Sequence, residues 1–226
     1  SLSTYISMFV GQSFLIVPVL IYLNKKGASI FESLRLKIIS KKTAIATLIL
    51  SLGAMVISDE INILVDKIIP APESFLQLEA MLTPENPLSM IILIITIVIL
   101  APVGEELLFR GFLQKLLEES WQDITRAVLI TSLFFAFIHM NPVWVIQIYF
   151  LGVVLGYLAW RTGSIFTSLI LHSLNNGTAL ILTNYSDTIE QYYLWNNHVS
   201  PIFLCLAIFS LWAGFIRLNK FSGVMA

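Results

Sequence analysis

Between Pro87 and Leu100 the chain runs for fourteen residues without a charge, and the next turns, APVGEELLFRGFLQ, carry two glutamates and an arginine. Apolar windows of this kind recur along the sequence. They cover Thr4–Leu23, Thr43–Ile63, Leu88 to about Glu118, Ile124–Met140, Pro142–Trp160, Ser164–Tyr185 and Pro201–Arg217. A helix crosses the hydrocarbon core with about 20 apolar residues. Seven windows therefore predict an all-α fold: a polytopic transmembrane helical bundle of about seven spans in a single membrane domain, residues 1–226. The third window is too long for one straight crossing, and Pro102 is where a kink is expected. The first lacks a basic leader and a small-residue cleavage site, so it reads as a retained helix.

Only 12% of the residues are charged, against roughly 25% in soluble domains. A formal net charge of −1 without a basic arm gives no reason to expect a nucleic-acid partner. Cys205 is the only cysteine; it excludes an intrachain disulfide and a multi-cysteine zinc site, and its apolar run predicts a buried thiol.

Basic residues set the expected orientation. Lys25, Lys26, Arg35, Lys37, Lys41 and Lys42 crowd the first connection, Arg110, Lys115 and Arg126 fall near the third, Arg161 in the fifth, and Arg217 and Lys220 at the tail. Asp66, Glu73, Glu79 and Glu85 mark the second connection, Asp187 and Glu190 the sixth. This alternation predicts an outside N-terminus and a cytoplasmic C-terminus. The first connection, NKKGASIFESLRLKIISKK, reads either as an interfacial helix on an anionic leaflet or as a plain topogenic loop.

Few polar residues remain inside the spans: Glu105, Glu106, Arg110, His139, His172, Asn175 and Asn176, with Asp59, Glu60 and Asn62 near one end of the second window. Those last three read as an interfacial cap in reach of water. Glu106 and Arg110 are spaced i, i+4, as an ion pair requires. Phe135 with His139, and His172 with Asn176, share helix faces in the same way. Glu105 points about 100° away from Glu106 and is free to face another group. At about 1.5 Å per residue, Glu105, His139, His172 and Asn176 fall within less than half of the membrane's thickness.

Intramembrane hydrolysis leaves distinct residue signatures. No serine here sits in a G-x-S-x-G or G-x-S-G context, Asp59 has no intramembrane aspartate to partner it, and H-E-x-x-H is absent. Glutamate with histidine remains. A carboxylate in apolar surroundings can serve as a base near neutral pH, and His with Asn can donate hydrogen bonds to an oxyanion.

Three stretches carry a family resemblance. EELLFR resembles the E-E-x-x-x-R motif, FAFIH the F-x-x-x-H motif and HSLNN the H-x-x-x-N motif of the CAAX-protease and bacteriocin-processing (Abi) family of intramembrane endopeptidases. They occur in the family's order on three separate predicted helices, within a catalytic core of residues 88–185. The resemblance implies an intramembrane endopeptidase similar to type II CAAX prenyl endopeptidases, acting on a membrane-associated peptide or protein. It implies that Glu105 activates water with His139, that His172 and Asn176 stabilise the oxyanion, and that Glu106, Arg110 and Phe135 support the site. No cofactor is expected. The alternative is zinc held by Glu105, His139 and His172, since His2Glu is a catalytic zinc set. Membrane lipid is the expected surrounding partner, and a chain this short without an organelle signal points to a bacterial plasma membrane.

Each residue also has a bland reading. A lone buried histidine is often a helix–helix hydrogen-bonder, a Glu–Arg pair a structural clamp, and Asn175 reads as a structural residue on the adjacent face. His198, in the polar loop LWNNHVSP, reads as non-catalytic. The same Glu/His cluster would also serve a proton-coupled transporter or a bacteriocin-immunity protein without proteolysis. No internal repeat of the kind transporters show is present.

Overall fold

The computed structural model describes residues 2–69, 82–84 and 86–221. Glu73, Glu79 and Glu85 of the second connection lie outside the described residues. Helices dominate: α1 Leu2–Phe14, α2 Val17–Lys26, α3 Ile30–Ser33, α4 Lys41–Ile68, α5 Pro87–Trp121, α6 Ile124–Phe137, α7 Val145–Thr162, α8 Ile165–Tyr193 and α9 Pro201–Phe221. Two-residue strands, β1 Leu194–Trp195 and β2 His198–Val199, pair antiparallel between α8 and α9.

Local signals explain the helix ends. The Asn86 side chain accepts from the amide of Ser89 at 2.9 Å ahead of Pro87, and Asp123 accepts from that of Arg126 at 2.9 Å. Ser40 accepts from the amide of Thr43 at 3.1 Å to start α4. Such caps satisfy amides that have no partner within the helix. Gly27 and Gly163 end α2 and α7 with φ of 62° and 63°, the left-handed geometry that glycine adopts without strain.

Six stretches are long and apolar enough to cross a membrane: α1 with α2, then α4, α5, α7, the first part of α8, and α9. The protein is an all-α polytopic bundle. The fourth expected span is shorter than Ile124–Met140. Helix α6 stops at Phe137 after 14 residues, about 21 Å at 1.5 Å per residue, less than the hydrocarbon thickness. It stops because the chain turns: Met140 has φ of 50°, and Asn141 accepts from the amide of Val143 at 3.0 Å. That turn carries His139.

The distortion expected at Pro102 takes another form. Helix α5 is π-helical over Ile95–Leu100 and again over Leu107–Leu113, with the α-helical turns Ala101–Glu106 between. Proline offers no N–H to the carbonyl four residues back, so the ladder just before it re-registers. π-Turns are rare and concentrate at functional positions; here they bracket both glutamates.

Packing relies on small residues, since lipid tails are as apolar as leucine and give no hydrophobic drive between helices. Helices α4 and α9 approach so closely that a Cβ on Gly53 would lie 2.4 Å from the Ala207 carbonyl oxygen, and one on Gly214 would lie 2.6 Å from the Leu50 nitrogen. Gly152 and Gly156, one turn apart on α7, admit Ser132 and Val128 of α6. Leu50, Phe109, Phe135, Leu155, Leu158 and Leu171 form the buried centre among these helices. Outward faces are apolar too, as Phe137, Ile181, Ile208 and Phe209 show.

One expectation changes here. Cys205 is exposed on α9. An apolar run in a membrane helix does not tell inside from outside, because both faces avoid water. The first connection contains only the single turn α3, then a turn at Arg35 (φ 53°) and the irregular segment 36–40. The Arg35 carbonyl accepts from the amide of Ile165, and the Lys37 carbonyl accepts from the Ser164 hydroxyl, so this segment is strapped onto the α7–α8 turn.

Candidate active site

Charge is least tolerable at the centre of the bundle, yet Glu106 and Arg110 are both fully buried there. Their i, i+4 spacing on α5 brings Arg110 Nη1 to 2.8 Å from Glu106 Oε1. The other guanidinium arm, Nη2, donates to the Gly152 carbonyl of α7 at 3.2 Å. Phe135 of α6 receives the cation on its ring face, with Arg110 Cζ 4.0 Å from the centroid. A buried ion pair holds only when its remaining donors are satisfied, and α5, α6 and α7 each contribute to that.

Glu106 has a second partner. His172 Nδ1, on α8, lies 2.8 Å from the same Oε1. A carboxylate only accepts, so Nδ1 carries the hydrogen and Nε2 is turned the other way. Glu105 Oε2 stands 3.7 Å from that Nε2. The gap is too long for a direct hydrogen bond. Glu105 Oε2 is buried and has no hydrogen-bond partner among the described residues. The adjacent glutamates are thus in different situations: one is locked, the other is free toward His172.

His139 follows from where α6 ends. Its amide bonds to the Ala136 carbonyl, which leaves the Phe135 carbonyl to accept from His139 Nδ1 at 2.8 Å. In this histidine too the hydrogen is held on Nδ1 and Nε2 remains available. Phe135 sits between the imidazoles, its centroid 5.0 Å from His139 and 5.6 Å from His172, both edge-on. Phe109 meets it at 5.3 Å from α5.

Phe135, His139 and His172 border a small cavity of about 40 Å³, walled also by Leu155, Asn175 and Asn176. Asn176 Nδ2 donates to the Ile97 carbonyl at 3.0 Å, inside the first π-turn of α5. That bond ties α8 to the segment preceding Glu105. Asn175, read from sequence as structural on the adjacent face, lines the same pocket. The structure therefore brings Glu105, Glu106, Arg110, Phe135, His139, His172 and Asn176 into one neighbourhood. As for zinc, among the described residues no three of His, Cys, Asp and Glu converge closely enough to ligate a metal.

Sequence reasoning missed the continuation of this polar face. Gln114 is fully buried and donates to the Gly156 carbonyl at 3.0 Å and to Glu118 Oε1 at 2.8 Å. Glu118 pairs with Arg35, whose guanidinium also reaches the Arg110 carbonyl. The signal was present: Glu106, Arg110, Gln114 and Glu118 recur every four residues along α5. Also missed was a clasp at the far end of α4. Glu60 accepts from His198 Nδ1 at 2.7 Å and from the Val199 amide at 2.8 Å, Lys67 Nζ meets His198 Nε2 at 2.6 Å, and Tyr193 donates to Asp59 at 2.7 Å. Asp59 and Glu60, expected as a cap facing water, instead fasten the β1–β2 hairpin. Burial and the neighbouring carboxylates Asp59 and Glu60 push the Tyr193 phenol above its ordinary range.

A family model described as type II CAAX prenyl endopeptidase Rce1-like matches residues 87–178, the stretch that holds all three motifs. Comparison with curated proteins and with solved structures finds no match. The chain is a multi-pass membrane protein whose residues 87–178 are similar to the Rce1-like type II CAAX prenyl endopeptidases, a family of membrane proteases.

Proposed function

We propose that this protein is an intramembrane endopeptidase that cleaves a membrane-associated peptide or protein by metal-free water activation at Glu105. One observation carries the reading. A buried carboxylate oxygen without a partner faces a histidine nitrogen at 3.7 Å, while that histidine is fixed from behind by the Glu106–Arg110 pair. An interaction across more than about 3.5 Å invites a bridging water.

The reaction follows from these donors and acceptors. Glu105 Oε2 takes a proton from water, and His139 Nε2 accepts the other water hydrogen, which aims the oxygen lone pair at the scissile carbonyl. Attack forms the C–O bond and moves the carbonyl π electrons onto oxygen. His172, as the imidazolium that keeps Nδ1–H on Glu106, donates Nε2–H to that oxyanion together with the side-chain amide of Asn176. Collapse then breaks the C–N bond, and Glu105 returns its proton to the departing amine. Charge favours this division of labour. Two carboxylates and one guanidinium leave one negative charge in an apolar bundle, and a single proton held among Glu105, His139 and His172 neutralises it.

The catalytic core is residues 88–185, and the basic connections are cytoplasmic. Purified protein in proteoliposomes, given fluorogenic lipidated peptides with and without a C-terminal prenyl-cysteine motif, tests the reading. Cleavage by the wild type that is absent in Glu105→Ala supports it. Equal cleavage by both contradicts it.

A further inference from the structure

A cavity of about 250 Å³ opens where the first connection meets the ends of three helices, and it shares no residue with the site described above. Lys37 and Ser40 come from the connection, Thr43 from the first turn of α4, Arg161 from the last turn of α7 and Phe221 from the end of α9. The bond from the Ser164 hydroxyl to the Lys37 carbonyl holds the connection in this place. Charge in the cavity is unbalanced. Among the described residues no aspartate or glutamate lines it, and Lys37 Nζ has no hydrogen-bond or ion-pair partner. Arg161 is fixed by neutral groups: Nε donates to Asn219 Oδ1 at 2.6 Å and Nη2 to the Asn219 carbonyl at 3.2 Å. These bonds orient the guanidinium without neutralising it, and they leave N–H donors over. A third cation stands beside it, with Lys42 Nζ 5.8 Å over the ring of Phe221. The carboxylate that the first connection does reach, Glu118, is taken by Arg35. The hydroxyls of Ser40 and Thr43 are 2.9 Å apart, so one hydrogen lies between them and the other is left to donate.

Beside these donors the wall is apolar: Ile38, which borders the cavity with Phe221, is 87% exposed. Cations without a counter-charge call for a net negative group, and an exposed apolar flank at a helix end calls for hydrocarbon. An anionic phospholipid carries both on one molecule, whereas a zwitterionic headgroup sets its own cation against Lys37, Lys42 and Arg161. We propose that this cavity is a binding site for an anionic phospholipid. Lys37, Arg161 and the Ser40–Thr43 hydroxyls hold its phosphate, and its acyl chains run along Ile38 and Phe221. The bound headgroup ties the first connection to α4, α7 and α9. This inference stands apart from the proteolytic reading and is tested without reference to cleavage.

The test uses the full chain in neutral-detergent micelles doped with equal amounts of phosphatidylglycerol and phosphatidylcholine. Native mass spectrometry counts the bound lipid, and thermal unfolding gives a second readout. The wild type should retain one phosphatidylglycerol per chain in preference to phosphatidylcholine, and phosphatidylglycerol should raise its unfolding temperature, as any ligand of the folded state does. Lys37→Gln with Arg161→Gln should weaken phosphatidylglycerol binding by about 10–30-fold, the effect of two charges at an anionic headgroup. Lys37→Gln alone should weaken it by about fivefold. That side chain has no partner to lose, so its unfolding temperature without lipid should equal the wild type's, and the test stands even if the double variant folds poorly. Lys25→Gln with Lys26→Gln removes two charges outside the cavity and should leave binding within about twofold, since exposed charges at a distance are screened. No preference for phosphatidylglycerol, unchanged binding in both cavity variants, or an equal loss in the Lys25 and Lys26 control overturns the site. Inorganic phosphate that stabilises the wild type as strongly as phosphatidylglycerol, but not Lys37→Gln, assigns the cavity to a free anion and overturns the lipid.

Discussion

His172 Nδ1 lies 2.8 Å from Glu106 Oε1, joining two helices across 66 residues of chain. Because Arg110 Nη1 meets the same oxygen at 2.8 Å, one carboxylate oxygen orients both a guanidinium and an imidazole. The consequence reaches Glu105. With Nδ1 committed, only Nε2 of His172 faces the pocket, and Glu105 is the carboxylate it faces. The Glu106–Arg110 pair therefore sets the tautomer and direction of His172.

Arg110→Ala should destabilise the protein by about 3–5 kcal/mol, because Glu106 is left as an unpaired buried charge. Activity should fall with it. The double variant Glu106→Gln with Arg110→Met should recover part of the stability but not the activity, since His172 loses its charged anchor. Thermal unfolding in detergent checks this; a double variant no more stable than Arg110→Ala would show that the two residues are not partners.

Gly214→Leu should separate α4 from α9. Even a Cβ at this position would lie 2.6 Å from the Leu50 nitrogen, and backbone cannot rotate away. Overpacking of this kind typically costs about 1–3 kcal/mol, occasionally more. The expected readout is a lowered unfolding temperature. An unfolding temperature equal to that of the wild type would contradict the close crossing.

Chelation separates the metal-free reading from the zinc alternative. Prolonged 1,10-phenanthroline or EDTA should leave cleavage within about twofold of the untreated rate, because base catalysis by a carboxylate needs no metal. Elemental analysis should find no stoichiometric zinc. One zinc per chain that is lost in His172→Ala, with activity restored by added zinc, would overturn the assignment.

Much of this site was legible in the sequence because helical geometry converts spacing into contact. Glu106 with Arg110 met as their i, i+4 spacing demands, and the free neighbour, Glu105, was separable from its fixed one by helical angle alone. The extent of α6 was not legible. Its apolar pattern continues past Phe137, and only the left-handed backbone at Met140 and the Asn141 cap reveal the turn that presents His139. The exposure of Cys205 was hidden for a related reason: lipid removes the polar–apolar contrast on which burial arguments depend. The clasp of Asp59 and Glu60 to Tyr193 and His198 joins residues more than 130 apart, and no local period encodes such a pairing.

The most direct test is Glu105→Gln. Glutamine keeps the volume of glutamate but cannot take a proton from water. Cleavage of the fluorogenic lipidated peptide should drop by about 10²–10⁴-fold or more, the typical loss for a general base, while expression and unfolding temperature stay at wild-type values. Cleavage by Glu105→Gln within about threefold of the wild-type rate would remove Glu105 from the mechanism and contradict the account.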